Sequence, residues 1–179
     1  MKPYTNTIFL IMKGLSWVFF IGLCIKTGIL LFTTGISLFV NSVSAKDLYL
    51  GLDLSELYNS NKWYFVCLTS LAIFVSGLRA YLCYWVIKVF LTLDLVLPFS
   101  KEIGSYIAKV SSVALSIGFF NYISRAFMKR LQREGYEVSS IGDYFEGAAE
   151  FIFFAGVIYI IALVYQKGIA LQTENDLTV

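Results

Sequence analysis

Histidine is absent from the 179 residues, which removes the commonest general base, the commonest zinc ligand and the side chain that titrates near neutral pH. Charge is also scarce, at 15% of residues, and the net charge of +2 forms no basic stripe interleaved with exposed aromatics, so direct nucleic-acid binding is excluded. Cysteine is limited to Cys24, Cys67 and Cys83, all inside apolar runs. On one straight helix the last two would stand roughly 24 Å apart, so no disulfide framework is implied and the thiols read as small buried hydrophobes. Glycine-rich phosphate loops, paired catalytic carboxylates, nucleophile elbows and metal-ligand clusters are missing as well. No enzyme, metal or cofactor is expected.

What the chain has is apolar surface. Hydrophobic residues make up 58% of it and aromatic residues 17%, with a mean hydropathy of +0.74, well outside the range of an ordinary soluble domain. The charges cluster between apolar runs, which predicts an all-α integral membrane bundle of four helices in a single domain over 1–179. The spans are expected at about 15–39, 63–91, 103–123 and 144–166, with a tail over 167–179. The first apolar stretch is interrupted only by Lys13 and Lys26. Val43-Ser44-Ala45 imitates a signal-peptidase site, but the run before it is too long for a signal peptide and reads as an anchor.

Between the spans, Lys46–Asn61 (KDLYLGLDLSELYNSN) is polar and reads as a loop closed by an Asn-Ser-Asn cluster. Pro98 stops the second helix, and Ser100 followed by Glu102 and Ile103 predicts the cap of the third. Ala108, Ser112 and Ser116 place small residues four apart, a spacing that predicts close helix packing, with every span packing against the others. After it, NYISRAFMKRLQREGY sets Tyr122, Phe127 and Leu131 among Arg125, Lys129, Arg130 and Arg133, which predicts a short amphipathic helix on the membrane surface before the last span. A solvated helix end is the alternative.

Four spans put both termini on one side. Counting positive charges ties: Lys2, Lys13, Lys88, Lys101, Lys109 and Lys167 oppose Lys46, Lys62, Arg125, Lys129, Arg130 and Arg133. Termini in the cytoplasm are preferred because the acidic first loop is then the exported one.

Lys26 and Arg79 fall within spans, where a charge costs at least about 2.5 kcal/mol and normally faces a partner. Arg79 lies roughly 18 to 22 Å from the end of its span and Glu150 roughly 24 Å from Gln166, which predicts an Arg79–Glu150 ion pair, with Glu146 as the alternative. Lys26 is expected to snorkel towards an interface. The tail continues a helical pattern through Lys167, Gly168, Ile169, Leu171 and Gln172 into Glu174, Asn175 and Asp176, and ends in Leu177-Thr178-Val179.

Two stretches, LVLPFSKE and FIFFAGVIYIIALVYQKGIALQTENDLTV, together with the order of spans, resemble the bacterial membrane-protein family of domain of unknown function 2975. That resemblance implies a four-span protein of the inner (cytoplasmic) membrane whose partner is a small helix-turn-helix transcription regulator encoded beside it. The expected function is therefore regulatory or scaffolding, with Pro98, Phe99 and Ser100 plus Gly168, Leu171, Gln172, Glu174, Asn175, Asp176, Leu177, Thr178 and Val179 of the tail as the partner-binding face. The alternative is a small permease or oligomeric channel with a polar path around Arg79, Lys26 and Glu150.

Overall fold

The computed structural model describes residues 3–93 and 100–176, with side chains from 7 and up to 174. The described residues form helices and no strands: α1 (Pro3–Phe39), a 3-10 turn (Ser42–Lys46), α2 (Ser55–Ser60), α3 (Lys62–Thr92), α4 (Lys101–Arg133), a second 3-10 turn (Ser139–Phe145) and α5 (Ala148–Asp176). Four of these helices are long and apolar enough to cross a membrane. Their boundaries follow local chemistry. Asn61 ends α2 with its N–H on the Leu57 carbonyl and begins α3 with its Oδ1 accepting from the N–H groups of Trp63 and Tyr64. The Ser100 hydroxyl accepts from the Ile103 N–H to start α4. Gly135, at φ +92°, closes α4 with its own N–H on Gln132 and the Tyr136 N–H on Leu131, the paired bonds of a left-handed helix end.

The helices pack antiparallel in chain order, α1 on α3, α3 on α4 and α4 on α5. Edge-to-face aromatic pairs set the register, with Phe9 against Phe90 at 5.5 Å and Phe74 against Phe120 at 4.7 Å. The bundle is thus an open row, and the expectation that each span packs on all the others does not hold: α5 packs extensively on α4 alone. The seam between them uses Gly104, Ser111 and Gly118. This corrects the small-residue face expected at Ala108, Ser112 and Ser116. Ser112 is exposed, and the Ser112 and Ser116 hydroxyls bond back to the Ala108 and Ser112 carbonyls of their own helix, so neither needs a neighbour.

Outward faces are strongly apolar. Val18 and Phe32 on α1 and Phe153 and Val164 on α5 are each at least 65% exposed, a surface that only lipid or another apolar face can cover. Yet helices of 29 to 37 residues are roughly 44 to 56 Å long, well beyond a hydrocarbon core of about 30 Å. Much of the excess in α1, α3 and α4 is used at the end away from the termini, where the first and third connections fold into a cap.

The cap has the best-formed core in the molecule. Leu48, Leu54 and Leu57 from the first connection and Ile141 and Phe145 from the third are buried against Phe65 and Leu68 of α3 and Leu131 of α4. The Leu54 N–H bonds to the Ala45 carbonyl, and the Ser140 hydroxyl donates to the Asp53 carbonyl at 2.8 Å, tying the two connections together. Segment 46–61 is therefore folded structure around α2, not an open loop. The amphipathic stretch from Tyr122 to Arg133 is likewise no separate surface helix. It continues α4, because Met128 and Leu131 are buried in the cap core and Phe127 packs edge-to-face on Tyr64, so its apolar stripe has protein to lie against.

Candidate functional site

Two places gather the polar groups of the spans. The first lies where the third connection re-enters the bundle. Gly118 of α4 sits against Ala148 and Ile152, so α5 begins part-way along α4 and the connection 134–147 must run back along it. Gly147, at φ +80°, allows the chain to turn into α5. This geometry turns the Glu146 carbonyl towards α3 and α4, where it accepts from Asn121 Nδ2 at 2.8 Å and from Arg79 Nη2 at 3.2 Å. Asn121 is fully buried, and this carbonyl is the partner its amide group finds there.

Arg79 is thus held by a backbone carbonyl, and the expected ion pair with Glu150 or with the Glu146 carboxylate does not form: among the described residues the one ion pair within 4.0 Å joins Arg130 and Glu134. The reason is rotation about α5. Phe151 is the residue that faces the guanidinium, with its ring 5.8 Å from Cζ, and Glu150 one position earlier is turned outward and exposed. Lys26 turns towards the cap, its ammonium 4.0 Å from the centre of the Tyr144 ring and 5.8 Å from that of Tyr49. Such contacts are worth about 0.5 to 2 kcal/mol, and among the described residues they hold the cation without an ion pair within 4.0 Å, Asp143 acting on it only from farther away. Nothing in the local sequence announces Asn121, Tyr49 or Tyr144 as partners, since each comes from a different segment. Arg79 Nε and Asn121 Oδ1 remain buried without a protein partner, a donor and an acceptor at one node.

The node reads as a latch for α5. Asn121→Ala removes the shorter of the two bonds to the Glu146 carbonyl and is expected to cost about 1 to 3 kcal/mol. Thermal unfolding of the purified protein in detergent measures it, and an unchanged midpoint would remove the latch.

The second place is the opposite end, where the termini lie. The Ser100 N–H donates to the Tyr165 hydroxyl at 3.2 Å, and a Cβ at Gly104 would lie 3.3 Å from the Tyr165 ring and 3.5 Å from Ile169. Because α4 starts at Lys101, the helical residues of α5 beyond Ile169 project past it. A cleft of about 750 Å3 opens beside them, lined by Lys101, Ser105 and Ala108 on one wall and by Gln166, Ile169, Ala170, Thr173 and Glu174 on the other. The structure so places Ser100 and Glu174 at this end of the α4–α5 pair, and leaves Leu171 exposed on the projecting helix. Gly168 and Gln172 are half-buried there. Pro98, Phe99, Leu177, Thr178 and Val179 lie outside the described residues, as do the side chains of Asn175 and Asp176. Sequence reasoning missed Tyr165, Ser105 and Thr173, and read Ile169 only as part of the tail's helical pattern; the four-residue step from Tyr165 to Ile169 and Thr173 is the signal that would have found a helical wall. The chain matches no protein-family model, no curated protein and no solved structure.

Proposed function

We propose that this four-span protein is a membrane-anchored binding protein whose terminal face holds a small helix-turn-helix regulator in the cytoplasm, in a regulatory or scaffolding role. The observation that carries the reading is the projection of α5 beyond the start of α4 with a cleft alongside. An α-helical tail that merely frayed would have no wall to share; this one sets Ile169, Ala170 and Thr173 along the cleft beside Lys101 and Glu174, a mixed surface suited to a helical partner. A permease reading would draw on Lys26 and Arg79, but their engagement by tyrosine rings and a backbone carbonyl favours anchoring over a polar path.

Removing the residues after Gln172 cuts one wall of the cleft and leaves the α4–α5 seam whole. It is expected to abolish co-purification with the regulator encoded next to this chain while the thermal midpoint of the membrane protein stays unchanged. Undiminished co-purification would refute the proposal.

A further inference from the structure

Four charged side chains line one cleft of about 630 Å3 between α4 and the start of α5: Arg125 and Lys129 on one wall, Glu146 and Glu150 on the other, with Tyr122 and Ile152 beneath them. Each like-charged pair is spaced four residues apart, so its members share a helix face or its approach. Among the described residues none of the four is in an ion pair within 4.0 Å, although they bound the same space. The two signs are therefore held apart across a gap rather than neutralising each other.

The level of this cleft is informative. On its terminal side α4 exposes Leu115 and Phe119, and α5 exposes Phe153, all more than half exposed. On its cap side α4 turns basic, through Arg125, Lys129, Arg130 and Arg133. Tyr122, 68% exposed, stands at the change, where an amphipathic ring belongs at the edge of the hydrocarbon. A cleft open at that depth meets lipid headgroups first.

We propose that the cleft is a headgroup site for a phospholipid carrying a primary amine. Its phosphodiester would lie on Arg125 and Lys129, its ammonium would donate to the carboxylates of Glu146 and Glu150, and its acyl chains would run down over Phe119 and Phe153. An anionic lipid without an amine would leave two carboxylates facing it unpaired, and a quaternary amine has no N–H to donate to them. The bipolar wall thus selects ethanolamine over glycerol and over choline headgroups.

The test uses the full-length protein in nanodiscs of phosphatidylcholine mixed equally with either phosphatidylethanolamine or phosphatidylglycerol, and counts lipids retained after extraction by native mass spectrometry. Wild type is expected to retain phosphatidylethanolamine about tenfold over the other two, a difference of about 1.4 kcal/mol. Arg125→Gln with Lys129→Gln is expected to lose retention altogether. Glu146→Gln with Glu150→Gln is expected to keep a bound phospholipid and lose the preference for the amine. All four side chains sit at the surface, and an unchanged thermal midpoint checks that the variants fold. Preference for phosphatidylglycerol in wild type, or retention unaltered by both pairs of substitutions, would overturn the proposal. So would displacement by equal amounts of water-soluble glycerophosphoethanolamine, which would assign the cleft to a free metabolite and not to the bilayer.

Discussion

Replacing Gly118 by valine is expected to unseat α5 from α4 and to lower the unfolding midpoint by several degrees. A Cβ at Gly118 would stand 2.6 Å from Ile152 Cγ1, 2.9 Å from the Ala148 carbonyl oxygen and 3.1 Å from the Ile152 nitrogen. The isoleucine end can rotate away, but the other two atoms are backbone in the first turns of α5, so the whole helix must retreat. Retreat also stretches the Ser111 hydroxyl from the Ala155 carbonyl, now 2.9 Å apart. Overpacking costs about 1 to 3 kcal/mol, and the branched side chain belongs at the upper end. For a chain of this size that is about 5 to 10 °C. Gly104→Ala makes the control, because the atom it meets at 3.3 Å belongs to the Tyr165 ring, which can swing, and Gly28→Ala meets nothing within 4 Å. Thermal scans of the three variants in one detergent are expected to rank Gly118 far below the other two. Equal midpoints would mean that α4 and α5 do not pack through this seam.

Truncating Phe145 to alanine is expected to open the cap. The ring is fully buried at the end of the second 3-10 turn, and such a truncation costs about 3 to 5 kcal/mol. The effect reaches beyond lost packing, because Phe145 adjoins Glu146, whose carbonyl receives Asn121 and Arg79. Loosening the turn releases both donors and exposes the connection 134–147 to proteases. Limited proteolysis is therefore expected to cleave the variant in that connection while wild type resists. Phe153→Ala removes the same ring from a position 76% exposed on α5 and is expected to leave both the midpoint and the cleavage pattern close to wild type. Similar behaviour of the two alanine variants would place Phe145 outside any core.

The cap and the Arg79 contact leave no mark in the sequence, for different reasons. The four helices are plain from long apolar runs, and the ends at Asn61, Ser100 and Gly135 follow from residues whose capping chemistry is local. The cap is hidden because its leucines sit among charges, and only the three-dimensional meeting of two distant connections buries Leu48, Leu54 and Leu57. Leu50 makes the point in reverse: same residue, same segment, yet 86% exposed on a left-handed backbone. Arg79 failed for a subtler reason. Its need for a partner follows from membrane physics, but counting rise per residue says nothing of which way a helix is turned, and a backbone carbonyl leaves no mark in a sequence. At the terminal end the helical pattern of the tail was readable, whereas the opposing wall on α4 required the register that Gly104 and Tyr165 establish.

Both proposed sites depend on the same arrangement, in which the cap and the projecting end of α5 lie on opposite sides of a bilayer. Single cysteines at Ser60, exposed on the cap, and at Thr173, exposed on α5, test it in a chain with Cys24, Cys67 and Cys83 replaced by alanine. With a membrane-impermeant maleimide applied to intact cells, Ser60→Cys is expected to label at once and Thr173→Cys only after the membrane is permeabilised. Labelling of both positions from the same side would contradict the four-span arrangement.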